Sequence, residues 1–558
     1  MEKIWLESYP PDVKDEISLA TYPSLSAMFT ESVKNYGVKP AYHNMGKTLS
    51  YTEAGQLVDD FSSYLRYHLK LKKGQRVAVM MPNLLQYPVA VFGILQAELT
   101  VVNINPFYTP RELEHQLIDS GATTIIILEN YAHVLAEVIE KTAIKHVITT
   151  TVGDLLGPKG TLINFAVRHL KKLVPAYQLP NDLKFKEILK QGKSLLKVEP
   201  TLTHEDVAFL QYTSATTGVA KGAVLTHGNI VANMLQVSEW IKGDIRKGGE
   251  VVVAALPLYH IFSLTANLMT FTMFGALNIL ITNPRELDDF VKTLRKFPIS
   301  ILIGVNTLFN GLLNHNQFSS LDFNSWRFGF AGGMAVQKVV ADKWQEVTGK
   351  PLIEAYGLTE TSPAVCMNPL NEQNRVGSIG LPIPHTDISI RNTLGQEVSL
   401  GEKGELWIKG PQVMTHYWQR PQATAEAFDK QGFFATGDIA TVSPDGFVNL
   451  VDRKKDMILV SGFNVYPNEV EDVMVAHPDI LEVACIGVPD KKTGEAVKLV
   501  VVPHGQEPAK KDLIAFAQKH LTAYKVPKKI DFTTELPKNN VGKILRRELR
   551  EVPAKKES

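Results

Sequence analysis

The sequence predicts an α/β multidomain protein, with a large N-terminal domain of two α/β subdomains plus a distorted β-barrel and a small α+β C-terminal domain. Apolar β-type runs alternate with helical stretches over 76–128 and again over 250–361, which is typical of parallel sheets covered by helices. Short strands and turns replace this alternation from residue 377 onward. At 558 residues, the chain is also too long for a single hydrophobic core.

The first α/β series follows an extended, proline-marked start. Its predicted elements are a helix at 25–36, a strand at 48–51, a strand at 76–81, a helix at 85–98, a strand at 101–104, a helix at 109–119 and a strand at 123–128. The stretch 162–174 that comes later can form a basic helix with several apolar side chains. This helix is either an interfacial membrane-docking element or, as is more common, a surface helix folded back on the domain.

The stretch from Tyr212 to Gly222 combines hydroxyls, glycines and one lysine directly behind an apolar strand at 207–210. Glycines let backbone N–H groups turn toward an anion and Lys221 adds a positive charge, so the stretch predicts a phosphate-binding loop. Taken alone, the same composition is equally typical of a surface turn. The loop differs from that of the standard nucleoside triphosphatases because Gly222 follows Lys221.

The second α/β series has predicted strands at 250–256, 277–281, 299–305, 327–331 and 352–355. Several of these strands are followed by glycine, aromatic, hydroxyl or acidic residues, at the ends where ligands collect in α/β sheets.

The remaining elements are antiparallel strands and a separate last unit. Strands are predicted at 404–410, 433–437, 446–451, 483–488 and 497–503, and helices at 468–476 and 509–520. Five consecutive charges at 452–456 precede the last unit, and such a run is expected to form a solvated face or linker.

The composition, 44% apolar and 21% charged, is that of an ordinary globular protein. Lysine plus arginine (59) nearly balance aspartate plus glutamate (58), so no nucleic-acid partner is expected. Cys366 and Cys485 lie far apart in apolar surroundings and are predicted to be reduced, which favours a cytoplasmic protein. The N-terminus lacks the apolar core of a secretory signal. The apolar run 261–281 is interrupted by hydroxyl and amide residues and is expected to form a buried helix and strand.

Six separated motifs follow one another in a specific order. They occupy 213–222, 356–360, 436–438, 452–453, 461–463 and 537–543. In order and spacing they resemble the adenylate-forming acyl-CoA synthetase superfamily, and most closely the bacterial long-chain fatty-acid–CoA ligases, over nearly the whole chain. The resemblance implies an enzyme that converts a fatty acid and ATP to an acyl adenylate and pyrophosphate, and then transfers the acyl group to coenzyme A.

The resemblance also implies domains and ligands. An N-terminal domain at 1–451 would hold the ATP and acyl sites, 452–456 would be the hinge, and a mobile C-terminal domain at 457–558 would carry the catalytic lysine. The expected ligands are a long-chain fatty acid, ATP, Mg²⁺ and coenzyme A. A cytoplasmic homodimer is expected, and peripheral contact with the inner face of the membrane stays open.

The ATP site is assigned by motif match. Its phosphate contacts would come from Thr213, Ser214, Thr216, Thr217, Gly218 and Lys221. Tyr356 would stack on adenine, in a pocket lined by Gly333. Asp438 would accept the ribose hydroxyls, and Arg453 would donate to the same sugar.

The catalytic residues implied by the resemblance are Lys543, Glu360 and Thr359. Lys543 would bridge the carboxylate and α-phosphate oxygens, because a point charge on a flexible stem suits that role. Glu360 would coordinate Mg²⁺, a hard cation that prefers carboxylate and phosphate oxygens.

The acyl and coenzyme A contacts would come from His260, Gly332, Ser461, Gly462 and Phe463. A lone histidine is more often structural, and His260 is interpreted as a binding residue rather than a general base, because thiol activation needs little basic help. The hinge contacts would involve Asp452, Lys454 and Lys455.

The apolar segment 260–267 offers no charged partner to a polar acid, and each buried methylene contributes about 0.8 kcal/mol, which favours a long acyl chain. Two positions depart from the family pattern: Leu264, where some long-chain members have a tunnel-closing tryptophan, and Ala215, where the loop usually has glycine. An aryl-acid–CoA ligase and a fatty-acyl-AMP ligase are alternatives of the same fold. An impaired lipid-binding scaffold is the alternative of another class.

Overall fold

The structure is a computed structural model that describes residues 1–213, 220–539 and 542–551. Five positions discussed above lie outside the described residues: Ser214, Ala215, Thr216, Thr217 and Gly218. The roles assigned to them therefore stay predictions. Among the helices in the described ranges, none combines the length and apolar character needed to cross a membrane.

The described residues form 26 strands, arranged in four sheets. In chain order they are β1 (Pro40–Asn44), β2 (Lys47–Ser50), β3 (Arg76–Met80), β4 (Thr100–Asn103), β5 (Thr124–Leu128), β6 (His146–Thr150), β7 (Leu183–Lys184), β8 (Val207–Tyr212), β9 (Gly222–Thr226), β10 (Val251–Ala254), β11 (Leu277–Leu280), β12 (Ile301–Gly304), β13 (Phe328–Ala331), β14 (Leu352–Gly357), β15 (Ala364–Met367), β16 (Leu381–Pro382), β17 (Asp387–Arg391), β18 (Gly404–Lys409), β19 (His416–Tyr417), β20 (Phe434–Val442), β21 (Val448–Arg453), β22 (Ile458–Val460), β23 (Phe463–Val465), β24 (Ile480–Asp490), β25 (Gly494–Pro503) and β26 (Lys529–Phe532).

The α-helices of the described residues are α1 (Leu25–Tyr36), α2 (Tyr51–Ser63), α3 (Gln86–Gln96), α4 (Pro110–Ser120), α5 (Ala132–Ala136), α6 (Pro158–Phe165), α7 (Phe185–Gly192), α8 (His227–Ile241), α9 (Ile261–Ser263), α10 (Leu287–Leu294), α11 (Asn306–Leu313), α12 (Lys338–Thr348), α13 (Pro421–Ala427), α14 (Pro467–Met474), α15 (Lys510–His520) and α16 (Arg546–Glu551). Wider π-helical turns continue α2, α6 and α9 at Tyr64–His68, Ala166–Leu170 and Leu264–Phe271. Short 3₁₀ turns occur at Ile4–Ser8, Leu19–Thr21, Glu129–Tyr131, Ile139–Lys141, Lys242–Asp244, Phe318–Ser320, Thr359–Thr361 and Ala523–Lys525.

Local sequence explains several helix boundaries. Ser50 and Glu53 form a capping box at the start of α2, in which each side chain accepts a hydrogen bond from the other residue's backbone N–H. The helix α4 begins with a similar box between Thr109 and Glu112, and it ends at Gly121 in the left-handed conformation, with φ of 60°.

Two large sheets form most of the N-terminal part. One has the order β16-β15-β14-β13-β12-β10-β11-β1-β2, with parallel pairing from β14 to β1. The other has the order β19-β9-β8-β4-β3-β5-β6-β7, with parallel pairing from β8 to β7. This arrangement confirms the predicted pair of α/β subdomains.

The two remaining sheets are smaller. An antiparallel sheet of order β17-β18-β20-β21 forms the part predicted as a distorted barrel. The last unit has the order β23-β22-β25-β24, with β26 beside β25, and its own buried core around Val470, Cys485 and Leu499. The α/β multidomain class with a small α+β last unit is confirmed. Cys366 and Cys485 are buried and unpaired by any disulfide, as predicted. The run 261–281 forms α9, its π-helical continuation and β11.

The charged run 452–456 fits the expectation of a solvated face or linker only in part, because Lys454 and Lys455 are exposed whereas Asp452 is buried. The strand β21 continues through Arg453, and Asp452 is only 3% exposed. Asp456 forms ion pairs with Arg546 and Arg550 of α16. Opposite charges from a distant helix offset the cost of placing these groups at an interface, and a local charge pattern does not reveal them.

The segment 162–174 also differs from its prediction, because its helical part ends at Leu170. It lies against the domain through the partly buried Ile163. Four apolar side chains nevertheless stay exposed, and together they are called the 162–173 patch: Leu162 (73% exposed), Phe165 (56%), Leu170 (72%) and Leu173 (54%).

Candidate active site

The predicted site residues of the N-terminal part gather at the carboxyl ends of neighbouring parallel strands. Gly332 and Gly333 directly follow β13, and Tyr356 lies at the end of β14. Thr359 and Glu360 belong to the 3₁₀ turn that comes next. Because the carboxyl ends of parallel strands share one edge, these residues come from one side of the sheet.

Asp438 is a buried carboxylate held from two sides. The Tyr356 hydroxyl donates a hydrogen bond to its Oδ2 at 2.5 Å, and Arg453 Nε lies 3.0 Å from its Oδ1. The register between β20 and β21 places Asp438 directly opposite Arg453. Burial and the Asp438 carboxylate hold the pKa of the Tyr356 hydroxyl well above its usual value, so this hydroxyl stays a donor. The trio offers charged hydrogen-bonding groups beside an aromatic face, which suits a nucleoside.

Lys543 reaches this trio from the last unit. A side chain on its neighbour Gly542, which has φ of 79°, would lie 2.5 Å from Thr307 Oγ1, so the backbone packs directly against the N-terminal part. Burial lowers the pKa of the half-buried Lys543 ammonium to about 7; the Arg453 guanidinium adds to this effect and Asp438 opposes it. The structure therefore brings Lys543 into electrostatic contact with both predicted ribose-binding residues.

His260 lies on the same side of the sheet, and the charge of Lys543 affects its pKa. Burial, followed by the Lys543 charge, lowers the pKa of the imidazole to about 4. Its Nδ1 accepts a hydrogen bond from the backbone N–H of Phe262 at 3.3 Å. A side chain on Gly332 would lie 3.0 Å from the Phe262 ring, so the glycine permits this close approach. A histidine that is neutral near pH 7 with so low a pKa fits a binding role better than general-base catalysis.

The phosphate-loop region contains a contact that the sequence did not predict. The Thr213 N–H donates to the Lys221 carbonyl at 3.0 Å, which joins the two described ends of the loop. The exposed Lys221 ammonium lies 5.1 Å from the centre of the Tyr417 ring. The Tyr417 hydroxyl in turn donates to Glu360 Oε1 at 2.7 Å. Tyr417 thus lies between the predicted phosphate-binding lysine and the predicted metal-binding carboxylate.

The donor chemistry around Glu360 fits Mg²⁺ delivered together with a polyphosphate. Within residues 1–213, 220–539 and 542–551, no group of three or more His, Cys, Asp and Glu side chains could hold a metal ion. Mg²⁺ is commonly held by one or two carboxylates, with substrate phosphates and waters completing its shell. Burial raises the pKa of the Glu360 carboxyl, and the hydrogen bond from Tyr417 opposes this shift.

The predicted coenzyme A residues lie elsewhere in this structure. Ser461 and Gly462 form the exposed turn between β22 and β23, and the Ser461 N–H donates to the Thr493 carbonyl at 2.8 Å. The 56% exposed Phe463 ring stacks on Tyr524 at 4.8 Å. These contacts lie within the last unit and involve none of the predicted ATP-binding residues.

The predicted hinge residues connect both parts. Asp452 accepts the Asn468 N–H, and Lys454 Nζ lies 3.0 Å from Glu405 Oε2. Lys455 is exposed in the turn after β21.

Tyr417 and Thr307 are the site residues that sequence reasoning missed. Tyr417 belongs to a strand of two residues, which is too short for a periodic signal. Thr307 belongs to the site because Gly542, near the other end of the chain, packs against it, and no local sequence pattern indicates this contact.

The chain is similar to known proteins over nearly its whole length. The model of the AMP-binding enzyme family matches residues 29–418, and that of the AMP-binding enzyme C-terminal domain matches residues 469–543. The chain is 52% identical to a long-chain-fatty-acid–CoA ligase from Yersinia pestis, covering 100% of this chain and 99% of the relative. It is 53% identical to the enzyme of that name from Escherichia coli O157:H7, covering 99% and 98%. The crystal structure of ATP-bound MatB from Rhodopseudomonas palustris superposes with a TM-score of 0.78 at 25% identity, covering 94% of this chain and 98% of that one.

Proposed function

Because the chain belongs to the AMP-binding enzyme family, we propose that it activates a long-chain fatty acid with ATP and transfers the acyl group to coenzyme A. The observation that carries the proposal is the packing of Gly542 of the last unit against Thr307, which brings the neighbouring Lys543 to the side of the molecule that holds the Asp438–Arg453 pair. Full-length relatives that are 52% and 53% identical bear the name of this ligase, which supports the same substrate class here.

In the first half-reaction, a fatty-acid carboxylate oxygen attacks the α-phosphorus of ATP. A new oxygen–phosphorus bond forms, and the bond to pyrophosphate breaks. The difficulty is electrostatic, since two anionic groups must approach each other. The Lys543 ammonium would offset this charge, and bound phosphate would favour its protonated form.

The nucleotide would be held at both ends. Tyr356, Asp438 and Arg453 would bind the nucleoside, and Lys221 with the neighbouring loop would bind the β- and γ-phosphates. We propose that Glu360 holds Mg²⁺, which when bound neutralises charge on the phosphate oxygens.

In the second half-reaction, the coenzyme A thiolate attacks the acyl carbonyl carbon, and the bond to the AMP oxygen breaks. We propose that the last unit turns about 452–456 and presents Ser461, Gly462 and Phe463 to the acyl adenylate. The exposure of this turn and its distance in sequence from Lys543 support two successive orientations of one unit.

The surroundings of His260 favour an apolar acid. Ile261 and Leu264 are buried, with 1% and 0% exposure, and Phe262 packs beside Gly332. None of these side chains offers a charge to a polar carboxylic acid.

Pyrophosphate release tests the proposal, with oleate or benzoate as the acid and with or without coenzyme A. Oleate-dependent turnover that needs coenzyme A is the expected result. Turnover with benzoate and coenzyme A, but not with oleate, would support the aryl-acid–CoA ligase. Pyrophosphate release that stops after one adenylate per enzyme and does not respond to coenzyme A would support the fatty-acyl-AMP ligase. No pyrophosphate release with any acid would support the scaffold.

We also propose that the 162–173 patch touches the membrane surface. Exposed apolar side chains beside the exposed Lys171 and Lys172 suit an anionic lipid interface. The homodimer stays a prediction that light scattering can test.

A further inference from the structure

Tyr417 makes two different contacts with the two ends of its side chain. The face of its ring lies 5.1 Å from the Lys221 ammonium, within the range of a cation–π interaction. Its hydroxyl donates to Glu360 Oε1 at 2.7 Å, a hydrogen bond to a charged acceptor. Tyr417 is buried, with 8% exposure, whereas Lys221 is exposed, so the hydrogen bond to Glu360 is the more shielded of the two contacts.

The backbone around Tyr417 fixes it relative to both partners. Tyr417 pairs with Ala223 in β9, which begins directly after Lys221. The Trp418 N–H donates to the Gly222 carbonyl at 2.7 Å, and the Met414 N–H donates to the Glu360 carbonyl at 2.7 Å. The segment 414–418 is therefore bonded to the phosphate-loop strand on one side and to the Glu360 turn on the other.

We propose that Tyr417 is a positioning residue that sets the Glu360 carboxylate and the Lys221 ammonium relative to one another for binding of ATP with its metal. This inference rests on the proposed function and adds a residue to it. Without the hydroxyl, the Glu360 side chain loses the donor that orients it. Without the ring, Lys221 also loses the surface that holds its ammonium near the loop.

Two substitutions separate these roles. Tyr417→Phe keeps the ring and removes only the hydroxyl, so metal-free ATP should bind within about two-fold of wild type, while ATP with Mg²⁺ should bind about ten-fold more weakly. Tyr417→Leu removes both contacts, and ATP should bind more weakly with and without Mg²⁺. Calorimetric titration of the full chain with ATP, in EDTA and in excess Mg²⁺, measures both affinities without requiring turnover.

Two further variants distinguish positioning from a general loss of stability. Tyr51→Phe removes another buried hydroxyl, which donates to the Ala276 carbonyl at 2.8 Å, and should leave both affinities unchanged. In a Glu360→Gln background, Tyr417→Phe should have little further effect on the Mg²⁺ dependence, because the two changes act on one contact.

A Tyr417→Phe protein that binds ATP with Mg²⁺ as wild type does would overturn the inference. Equal losses with and without Mg²⁺, or full additivity with Glu360→Gln, would also overturn it. Failure of the wild-type chain itself to bind ATP would instead overturn the proposed function.

Discussion

The Asp452 carboxylate accepts a hydrogen bond from the backbone N–H of Asn468 at 2.8 Å, and so ties the end of β21 to the start of α14. Its other oxygen accepts the Arg453 N–H at 2.6 Å. Asp452 is almost fully buried by these contacts. A turn of the last unit about the exposed Lys454–Lys455 step would have to break the bond to Asn468, so this hydrogen bond helps to hold the present orientation.

Restricting the backbone between Lys454 and Lys455 should slow the two half-reactions to different extents. In the present orientation, the Lys455 backbone N–H donates to no other group among the described residues. Proline at 455 fixes φ and removes that N–H, so Lys455→Pro should slow thioester formation far more than adenylate formation. Rapid-quench assays of the separate half-reactions measure both rates, with Lys455→Ala as the control. Equal slowing of both steps would argue against a hinge here.

Lys543→Ala should have the opposite effect. The Lys543 ammonium lies in the electrostatic field of Asp438 and Arg453, where it can offset charge during adenylation. Adenylate formation should fall by about a hundred-fold or more, whereas acyl adenylate supplied from outside should still react with coenzyme A. Lys538→Ala is the matched control, because this nearby lysine pairs instead with Glu482 at 2.7 Å. Loss of both half-reactions in Lys543→Ala would contradict the role.

Glu354 should make stability depend on pH. Burial raises the pKa of its carboxyl to about 7, while the Gly377 N–H opposes the shift and Asp472 of the last unit adds to it. Between pH 4.5 and about 7, the folded chain keeps a proton that the unfolded chain has lost, so the free energy of unfolding contributed by this group falls as pH rises.

Glu354→Gln removes this titration. Relative to the variant, wild type should lose stability between pH 4.5 and about 7, by up to about 3 kcal/mol. Urea denaturation at pH 5 and pH 7.5 measures the difference, and the exposed Glu346→Gln is the control. A difference that does not change with pH would show that Glu354 is ionised throughout.

The 162–173 patch should govern binding to lipid vesicles. Leu162 and Leu170 are the two most exposed members of the patch, so Leu162→Ser with Leu170→Ser should weaken binding to vesicles containing anionic lipid by about ten-fold or more. Flotation with labelled vesicles measures this binding. Leu394→Ser, at a 79% exposed position in the turn after β17, should leave it unchanged.

The two lysines beside the 162–173 patch can be tested separately. Lys171→Glu with Lys172→Glu should weaken the same binding, and added salt should reduce the difference. Arg168 is left intact because it pairs with the buried Glu129, and its loss would disturb the fold. Unchanged binding in both double variants would rule out this surface as the membrane contact.

The sequence alone determined the features that depend on local periodicity. The apolar runs at 77–80, 125–128 and 301–304 form buried parts of parallel strands, because a strand covered on both faces is predominantly apolar. The glycines and polar residues after such strands lie at the predicted edge for the same reason. The six motifs further identified the family, which the comparisons with known proteins confirm.

Only the tertiary structure decided which distant groups meet. Tyr417 reaches Glu360 because β19 pairs with β9, a strand almost two hundred residues earlier in the chain, and no local pattern encodes that edge. Asp452 is buried rather than solvated because α14 supplies a backbone donor to it. Lys543 comes within electrostatic reach of Asp438 and Arg453 because the last unit packs Gly542 against Thr307. In each case the energy of a polar group depends on partners that only the folded chain brings within reach.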